Sequence, residues 1–264
     1  LETMVHDVVE AGMLSATTEP VSADAFIVAV PTPFTDGNKP DLKYIEAATK
    51  SLAPILKKGD LVIIESTSPV GATEQVSQWL AGLRSDLSFP HDAGEDAEVQ
   101  VSHSPERVLP GRVLIELARN DRVIGGITRH CADRTAELYR TITDGVCHVT
   151  TARTAELVKL MENAYRDVNI AFANEMSLVS DRLDINVWEA IDMANHHPRV
   201  NILKPGPGVG GHCIAVDPWF IVDGAPEDTA LIQAARGVND SKPGHVVGQI
   251  LDAAKHHDAP TIAC

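Results

Sequence analysis

Two short apolar runs, Ala25-Phe-Ile-Val-Ala-Val30 and Leu61-Val-Ile-Ile64, are each followed by a polar turn and then by a segment of helical period. No other feature restricts the possible folds of the chain as strongly. Continuous rather than alternating hydrophobicity predicts strands buried on both faces, as in a parallel sheet covered by helices on each side. The first run stops at Pro31-Thr32-Pro33, and Asp41 can then cap a helix to about residue 56, with Ile45, Ala48, Leu52 and Ile55 near helical spacing. The second run leads through Glu65-Ser-Thr-Ser-Pro-Val-Gly71 into a helix over residues 72–83. Strand, polar turn and helix in alternation predict a doubly wound α/β sheet, in which ligands sit at the carboxyl ends of the strands. That places Pro31-Thr32-Pro33 and Ser66-Thr67 on one functional edge.

The pattern continues less strongly. Residues 1–22 read as a tail and 88–98 as a solvated acidic loop. Short strands are expected over 99–102, running into Ser104-Pro105-Glu106-Arg107, and over 121–126, where glycines stop it. An amphipathic helix over 129–141 and a strand over 146–149 close a first domain near residue 150. From Thr154 a helical period runs through Leu157, Leu160, Met161, Ala164, Val168, Phe172, Met176 and Val179, with no Gly or Pro before Asp184. Such a length exceeds the usual 8–20 residues and predicts a central spine or an oligomer interface. Shorter helices are expected over 187–194, 228–237 and 243–256, and residues 259–264 read as a strand just beginning.

The net charge of −15 disfavours nucleic acid and anionic membrane surfaces as partners. No stretch reaches the roughly 18 apolar residues of a membrane span, and residues 1–25 lack signal-peptide anatomy. Four cysteines, at 131, 147, 213 and 264, show no CxxC spacing. They predict neither a disulfide framework nor a zinc site, and they fit a reducing, cytoplasmic setting. Cys131 and Cys147 read as small core residues.

Cys213 differs from the other three, for it follows four glycines in six residues (Gly206, Gly208, Gly210, Gly211), with Asp217 four residues on. A reactive site and an ordinary packed turn both fit this loop. The glycines satisfy G-x-G-x-x-G, but a dinucleotide turn needs a strand before it and a helix opening at its last glycine. Pro205 and Pro207 interrupt the approach, so that reading is set aside. Lys159, Glu162, Asn163 and Arg166 fall near one face of the long helix, which by itself describes a solvated face. Adjacent residues on extended backbone point apart, so a catalytic dyad of Cys213 with His212 is not expected. His196-His197 has no further ligand at metal-binding spacing, so no metal site is expected.

Six segments occur in an order and spacing that resembles the UDP-glucose/GDP-mannose dehydrogenase family. They are Ala29-Val-Pro-Thr-Pro33, Glu65 to Gly71, Ser104-Pro-Glu-Arg107, Glu156 to Asn163, Phe172-Ala-Asn-Glu175 and Gly206 to Asp217. The forms SPERVLPG and GPGVGGHCIAVDPWF are most similar to the bacterial UDP-N-acetyl-D-mannosamine dehydrogenase branch. The resemblance implies a Rossmann-like doubly wound sheet, here incomplete, over residues 1–150 and an all-helical central domain with a long spine helix over 151–258. It also implies NAD as cofactor, a UDP-sugar as substrate, and four-electron oxidation of the sugar's C6 alcohol to a carboxylate. Cys213 matches the family nucleophile that forms a thiohemiacetal and then a thioester. Lys159 and Asn163 match the oxyanion-stabilising pair, Asp217 the acid/base aspartate, and Thr67 and Glu106 the residues that order water near the nicotinamide, with Glu106 implicated in thioester hydrolysis. Thr32 matches a cofactor contact, Lys204 a contact with the nucleotide sugar, and Arg199 a residue that reaches a neighbouring subunit's substrate. Gly210 and Gly211 belong to the loop that wraps the sugar nucleotide. Members of the family dimerise through the helix that here starts near Thr154.

The departures also carry expectations. Pro110 stands where glucose-specific members have a second glutamate, which points away from UDP-glucose and leaves UDP-N-acetylglucosamine as the rival to the mannosamine epimer. The family's opening strand and glycine turn are not among these residues, and 259–264 would open its UDP-sugar-binding domain. The 264 residues by themselves are therefore expected neither to bind NAD tightly nor to turn over. Two other classes stay open on the residues alone: a cysteine hydrolase or transferase using Cys213 without NAD, and a non-catalytic helical dimerisation module.

Overall fold

The structure is a computed structural model that describes residues 2–108, 111–257 and 259–263. The chain forms two compact units. The first comprises the residues up to Thr35 and Pro40–Lys159, and the second Asp36–Lys39 and the residues from Leu160 onward. This division falls inside one long helix.

The first unit is built on a five-stranded sheet in the order β1-β2-β3-β4-β5. Its strands are β1 (Ala25–Val28), β2 (Leu61–Ile64), β3 (Gln100–His103), β4 (Arg122–Gly126) and β5 (Cys147–Thr151). The helices of this unit are α1 (Glu2–Glu10), α2 (Lys43–Leu52), α3 (Ala72–Leu83), α4 (Pro90–Ala93), α5 (Val113–Arg119) and α6 (Arg129–Tyr139). In β2 successive side chains face opposite sides. Val62 and Ile64 join a core with Ile45 and Leu52 of α2 and Val76 and Leu80 of α3. Leu61 and Ile63 join a second core with Ala132, Ala136 and Tyr139 of α6. Both sides of β2 are therefore apolar because both sides are covered.

The sheet is not wholly parallel. Strands β1, β2 and β3 run parallel, but β4 lies antiparallel to β3, with Ser102 opposite Gly126 and His103 opposite Gly125. The reversal brings Arg122, at the start of β4, to the edge where β3 ends. Strand β4 takes in Gly125 and ends on Gly126, as expected. A Cβ on Gly125 would lie 2.5 Å from the Thr151 carbonyl oxygen and 2.6 Å from the Ala155 Cβ, so the glycine admits the close approach of the chain that follows β5.

Other local expectations need revision. Residues 1–22 contain α1, which buries none of its residues. The acidic stretch after residue 88 folds into α4 and a 3-10 turn, and Phe89, 2% exposed, belongs to the core. Asp41 Oδ1 accepts from Lys43 N (3.0 Å) just ahead of α2, one residue earlier than a standard cap.

The long helix, α7, spans Ala152–Arg182, 31 residues. It ends with Asp184 in the left-handed region (φ 55°) and with Ile185 N donating to Ser180 O at 2.9 Å, a C-terminal motif usually completed by glycine. The second unit continues with α8 (Val187–Ala194), α9 (Asp217–Gly224) and α10 (Ala230–Ala254), and among its described residues there is no strand. Asn186 caps α8 by accepting from Trp188 N and Glu189 N. The two helices expected after residue 228 are the single α10, with Pro243 inside it. Residues 259–263 have no strand pairing, and Cys264 lies outside the described residues.

Candidate active site

The expected functional edge of the first unit is stitched together by one serine. Ser66 Oγ accepts from Val30 N (2.7 Å) and donates to Val30 O (2.8 Å), while Ser66 N donates to Val28 O. Ser104 N donates to Ile64 O at 3.0 Å. The segments leaving β1, β2 and β3 therefore lie side by side, and they carry Thr32, Thr67 and Glu106, all half-buried.

The far end of the Thr67 segment is held by a residue whose role composition did not reveal. Glu156, in the second turn of α7 and 1% exposed, accepts from Gly71 N (2.6 Å), Thr73 N (2.8 Å) and Thr73 Oγ1 (2.6 Å). It satisfies the free N–H groups at the start of α3 and places negative charge at that helix N-terminus. Gly71 has φ +100°, which permits the turn.

Glu106 shares a cation with a second carboxylate. Its Oε1 accepts from Arg107 N and Val108 N, and its Oε2 lies 3.7 Å from Arg122 Nη2. Arg122 Nη1 is 4.0 Å from Glu65 Oε1, and the guanidinium stacks 4.3 Å above the ring of Tyr139. The Tyr139 hydroxyl donates to Glu65 Oε1 at 3.2 Å. Burial, and then the charge of Glu106, push the Glu65 carboxyl above the usual glutamate range, opposed by Tyr139 and Arg122. Burial and Glu65 likewise raise the Tyr139 hydroxyl. Arg122 is the link here that sequence reading missed, because an arginine opening an apolar strand gives no local sign that the strand runs backwards. Pro110, the expected discriminator against a glucose substrate, lies outside the described residues.

In the second unit two expected site residues meet directly. Asn163 Nδ2 donates to Asp217 Oδ2 at 2.5 Å, with Asn163 7% and Asp217 3% exposed. The face of α7 that looked merely solvated thus buries Asn163, with Lys159 half-buried one turn before it and Arg166 exposed. Asp217 opens α9, where a helix N-terminus favours its negative charge. The Cys213 carbonyl accepts from Val216 N (3.0 Å) and Asp217 N (2.9 Å), which ties the cysteine backbone to that helix start. Val216 and Phe220 pack on Leu160 beneath it. Cys213 itself is exposed, whereas Cys131 is buried and Cys147 half-buried.

Residues 201–210 carry no strand and no helix opens at Gly211, so the loop has neither flank of a dinucleotide turn. Two of its glycines are demanded by conformation. Gly211 has φ +87° and Gly208 φ +134°, while Gly206 and Gly210 have open space around their Cα atoms. Arg199 and Lys204 are exposed on the segment between α8 and α9. Asn195 shapes that segment by accepting from Ile202 N (2.7 Å) and donating to Ile202 O (3.0 Å). Among the described residues no group of three or more His, Cys, Asp or Glu could hold a metal ion. No helix among them is long and apolar enough to cross a membrane.

The sequence profile of the NAD binding domain of the UDP-glucose/GDP-mannose dehydrogenase family matches residues 1–143, and that of the family's central domain matches residues 153–241. The chain belongs to this family. Over all 264 residues it is 61% identical to an NDP-N-acetyl-D-galactosaminuronic acid dehydrogenase of Ralstonia nicotianae, of which it spans 62%. Over 253 residues, 96% of the chain, it is 62% identical to a UDP-N-acetyl-D-mannosamine dehydrogenase of Salmonella typhimurium, of which it spans 60%. Its fold superposes on the UDP-D-ManNAc dehydrogenase structure from Pyrococcus horikoshii with a TM-score of 0.87 at 42% identity, covering 96% of this chain and 59% of that one. The chain is thus about three fifths the length of these relatives. The expected α/β sheet followed by a helical domain is the family's arrangement.

Proposed function

We propose that the protein carrying this chain is an NAD-dependent nucleotide-sugar 6-dehydrogenase that oxidises UDP-N-acetyl-D-mannosamine to its uronic acid. The observation that carries the reading is the Asn163–Asp217 hydrogen bond at the base of the Cys213 loop. It joins two residues that the family chemistry uses together with Cys213, whose carbonyl accepts from Asp217 N. The carboxyl edge of β1–β3 fits a nucleotide cofactor, since open α/β sheets bind such ligands there. Thr32, Thr67 and Glu106 would hold the nicotinamide end of NAD, which supplies a two-electron acceptor for each of the two oxidations.

The remaining chemistry belongs to the chain's own residues. The Cys213 thiolate adds to C6 at the aldehyde level, forming a C–S bond and leaving negative charge on oxygen. The Lys159 ammonium and the second Asn163 N–H, the one not donated to Asp217, stabilise that oxyanion. Loss of hydride from C6 gives the thioester. Asp217 and Glu106 orient water and accept its proton as it attacks the thioester carbonyl, after which the C–S bond breaks and the thiolate leaves. The balance is one alcohol, two NAD⁺ and one water to one carboxylate, two NADH and three protons. Lys204 and the Gly210-Gly211 backbone would contact the sugar nucleotide, and Arg199 would reach that of a neighbouring subunit. A free Cys213 thiol suits a reducing compartment, so we place the reaction in the cytoplasm.

A homodimer through α7 completes the reading. Leu157, Met161, Tyr165, Phe172 and Val179 form an exposed apolar stripe along it. A second substrate reading, the N-acetylgalactosamine nucleotide, is favoured by the name of the Ralstonia relative.

The test is turnover of UDP-linked N-acetylmannosamine, N-acetylgalactosamine, N-acetylglucosamine and glucose by the full-length protein. The expected result is two NADH per acid formed and a kcat/KM at least about tenfold higher for the mannosamine substrate. A preference for the galactosamine substrate would select the second reading. One NADH per product, or a preference for UDP-glucose, would overturn both.

A further inference from the structure

We propose that Asn174 is a positioning residue that fixes the root of the Cys213 loop, at the end of a hydrogen-bond chain whose direction is set by the buried Arg236–Asp167 ion pair. The proposal rests on the functional reading only in taking the loop to be the catalytic one.

The chain can be followed group by group. Arg236 Nη1 donates to Asp167 Oδ1 at 2.7 Å, and its Nη2 reaches Asp240. An ionised carboxylate can only accept, so Asn239 must turn its Nδ2 toward Asp167, which it does at 2.8 Å to Oδ1 and 3.0 Å to the backbone oxygen. That leaves Asn239 Oδ1 facing Asn174, which must donate through Nδ2, at 2.9 Å. Asn174 Oδ1 is then the only atom of that amide left to accept, and Gly206 N donates to it at 2.9 Å. Arg236 is 1% exposed, and Asp167, Asn174 and Asn239 are wholly buried. A charge at one end thus dictates the orientation of two amides and delivers an acceptor to a backbone N–H at the other.

A second contact seats the loop two residues on. A Cβ on Gly208 would lie 2.8 Å and 2.9 Å from Pro243 Cγ and Cδ and 3.2 Å from Asn239 O. Pro243 has no N–H to return to the Asn239 carbonyl in α10, and the bare backbone of Gly208 comes against that gap. The loop is thereby fixed at 206 and 208, and again at Cys213 through the bonds to α9. A buried polar string of this kind is poor at adding stability, because apolar residues of similar volume often replace such groups at no loss. What it does supply is a single position for the residue on which it ends.

The test begins with the unaltered chain. Gly206 N–H is expected to exchange with solvent as slowly as the core amides of α7 and α10, and exchange at the rate of an open loop would overturn the proposal without any variant having to fold. Asn174→Leu and Asn239→Leu then remove different links of the same chain. Both are expected to speed Gly206 exchange at least tenfold and to change the iodoacetamide alkylation rate of the Cys213 peptide at least fivefold, with the double variant no worse than either single one. In the full-length enzyme kcat should fall at least tenfold while the KM for NAD stays put. Variants that melt earlier yet keep Gly206 exchange, Cys213 alkylation and kcat unchanged in the folded protein would show a structural role only, and would overturn it. If Cys213→Ala retains activity, the catalytic reading of the loop fails, while the exchange measurement still decides the clamp.

Discussion

The carboxyl pair Glu65 and Glu106 shows how a few ångströms set the behaviour of single residues. Both approach one guanidinium, that of Arg122, and neither comes within direct hydrogen-bonding distance of it. Glu65 is more buried and bears the charge of Glu106, so its folded pKa lies above its unfolded one. Such a group binds more protons in the folded state. Its contribution is therefore fully present below the unfolded glutamate value and is lost as pH rises through the raised folded value. Carboxyl ¹³C titration should place Glu65 above the ordinary glutamate range, and Glu106→Gln should bring its midpoint down by removing the like charge. An unmoved midpoint would show that the two carboxylates do not feel each other. The same cluster illustrates what single residues conceal in sequence. Glu106 is flagged by its motif, but Glu65 reads as part of a polar turn, and Tyr139 as one residue of an amphipathic helix.

Among the elements, α7 most rewards comparison of pattern with packing. Its length was legible, since no glycine or proline breaks the period before Asp184. The identity of its buried side was not. The apolar residues Leu157, Met161, Phe172 and Val179 lie exposed, while Asn163, Asp167 and Asn174 are buried against α9, α10 and the loop root. Periodicity finds a stripe but cannot tell a core from an interface. Charged substitutions at Val168 and Phe172 should therefore leave the unit folded and convert a dimer to monomer in sedimentation, and an unchanged dimer would remove α7 from the interface. The strands were easier to read. Residues 61–64 and 72–83 form β2 and α3 with the expected limits, because apolar covering on both faces and a glycine start leave strong local marks. The reversal of β4 and the burial of Phe89 were hidden, since pairing direction and tertiary contact leave none. In the site, Asp217 and Asn163 could be named from their motifs, but the other three residues act through partners distant in sequence: Glu156 through Gly71, 85 residues away, Arg122 through Glu65 and Glu106, and Asn174 through Asn239, 65 residues away.

At the scale of the whole molecule, the chain joins an α/β unit with a carboxyl edge to a helical unit that carries a glycine-bordered thiol. Residues 1–143 and 153–241 match the two corresponding domains of one dehydrogenase family, which is why two chemically different halves occur in this order. The central claim is that oxidation past the aldehyde runs through a covalent bond to Cys213. Peptide mass spectrometry of the full-length protein, quenched during turnover with UDP-N-acetyl-D-mannosamine and NAD, tests it most directly. The predicted result is a sugar-nucleotide adduct on the Cys213 peptide in the wild type, with no adduct and no acid formed by Cys213→Ala. Acid production by Cys213→Ala at the wild-type rate, with two NADH per acid, would contradict it.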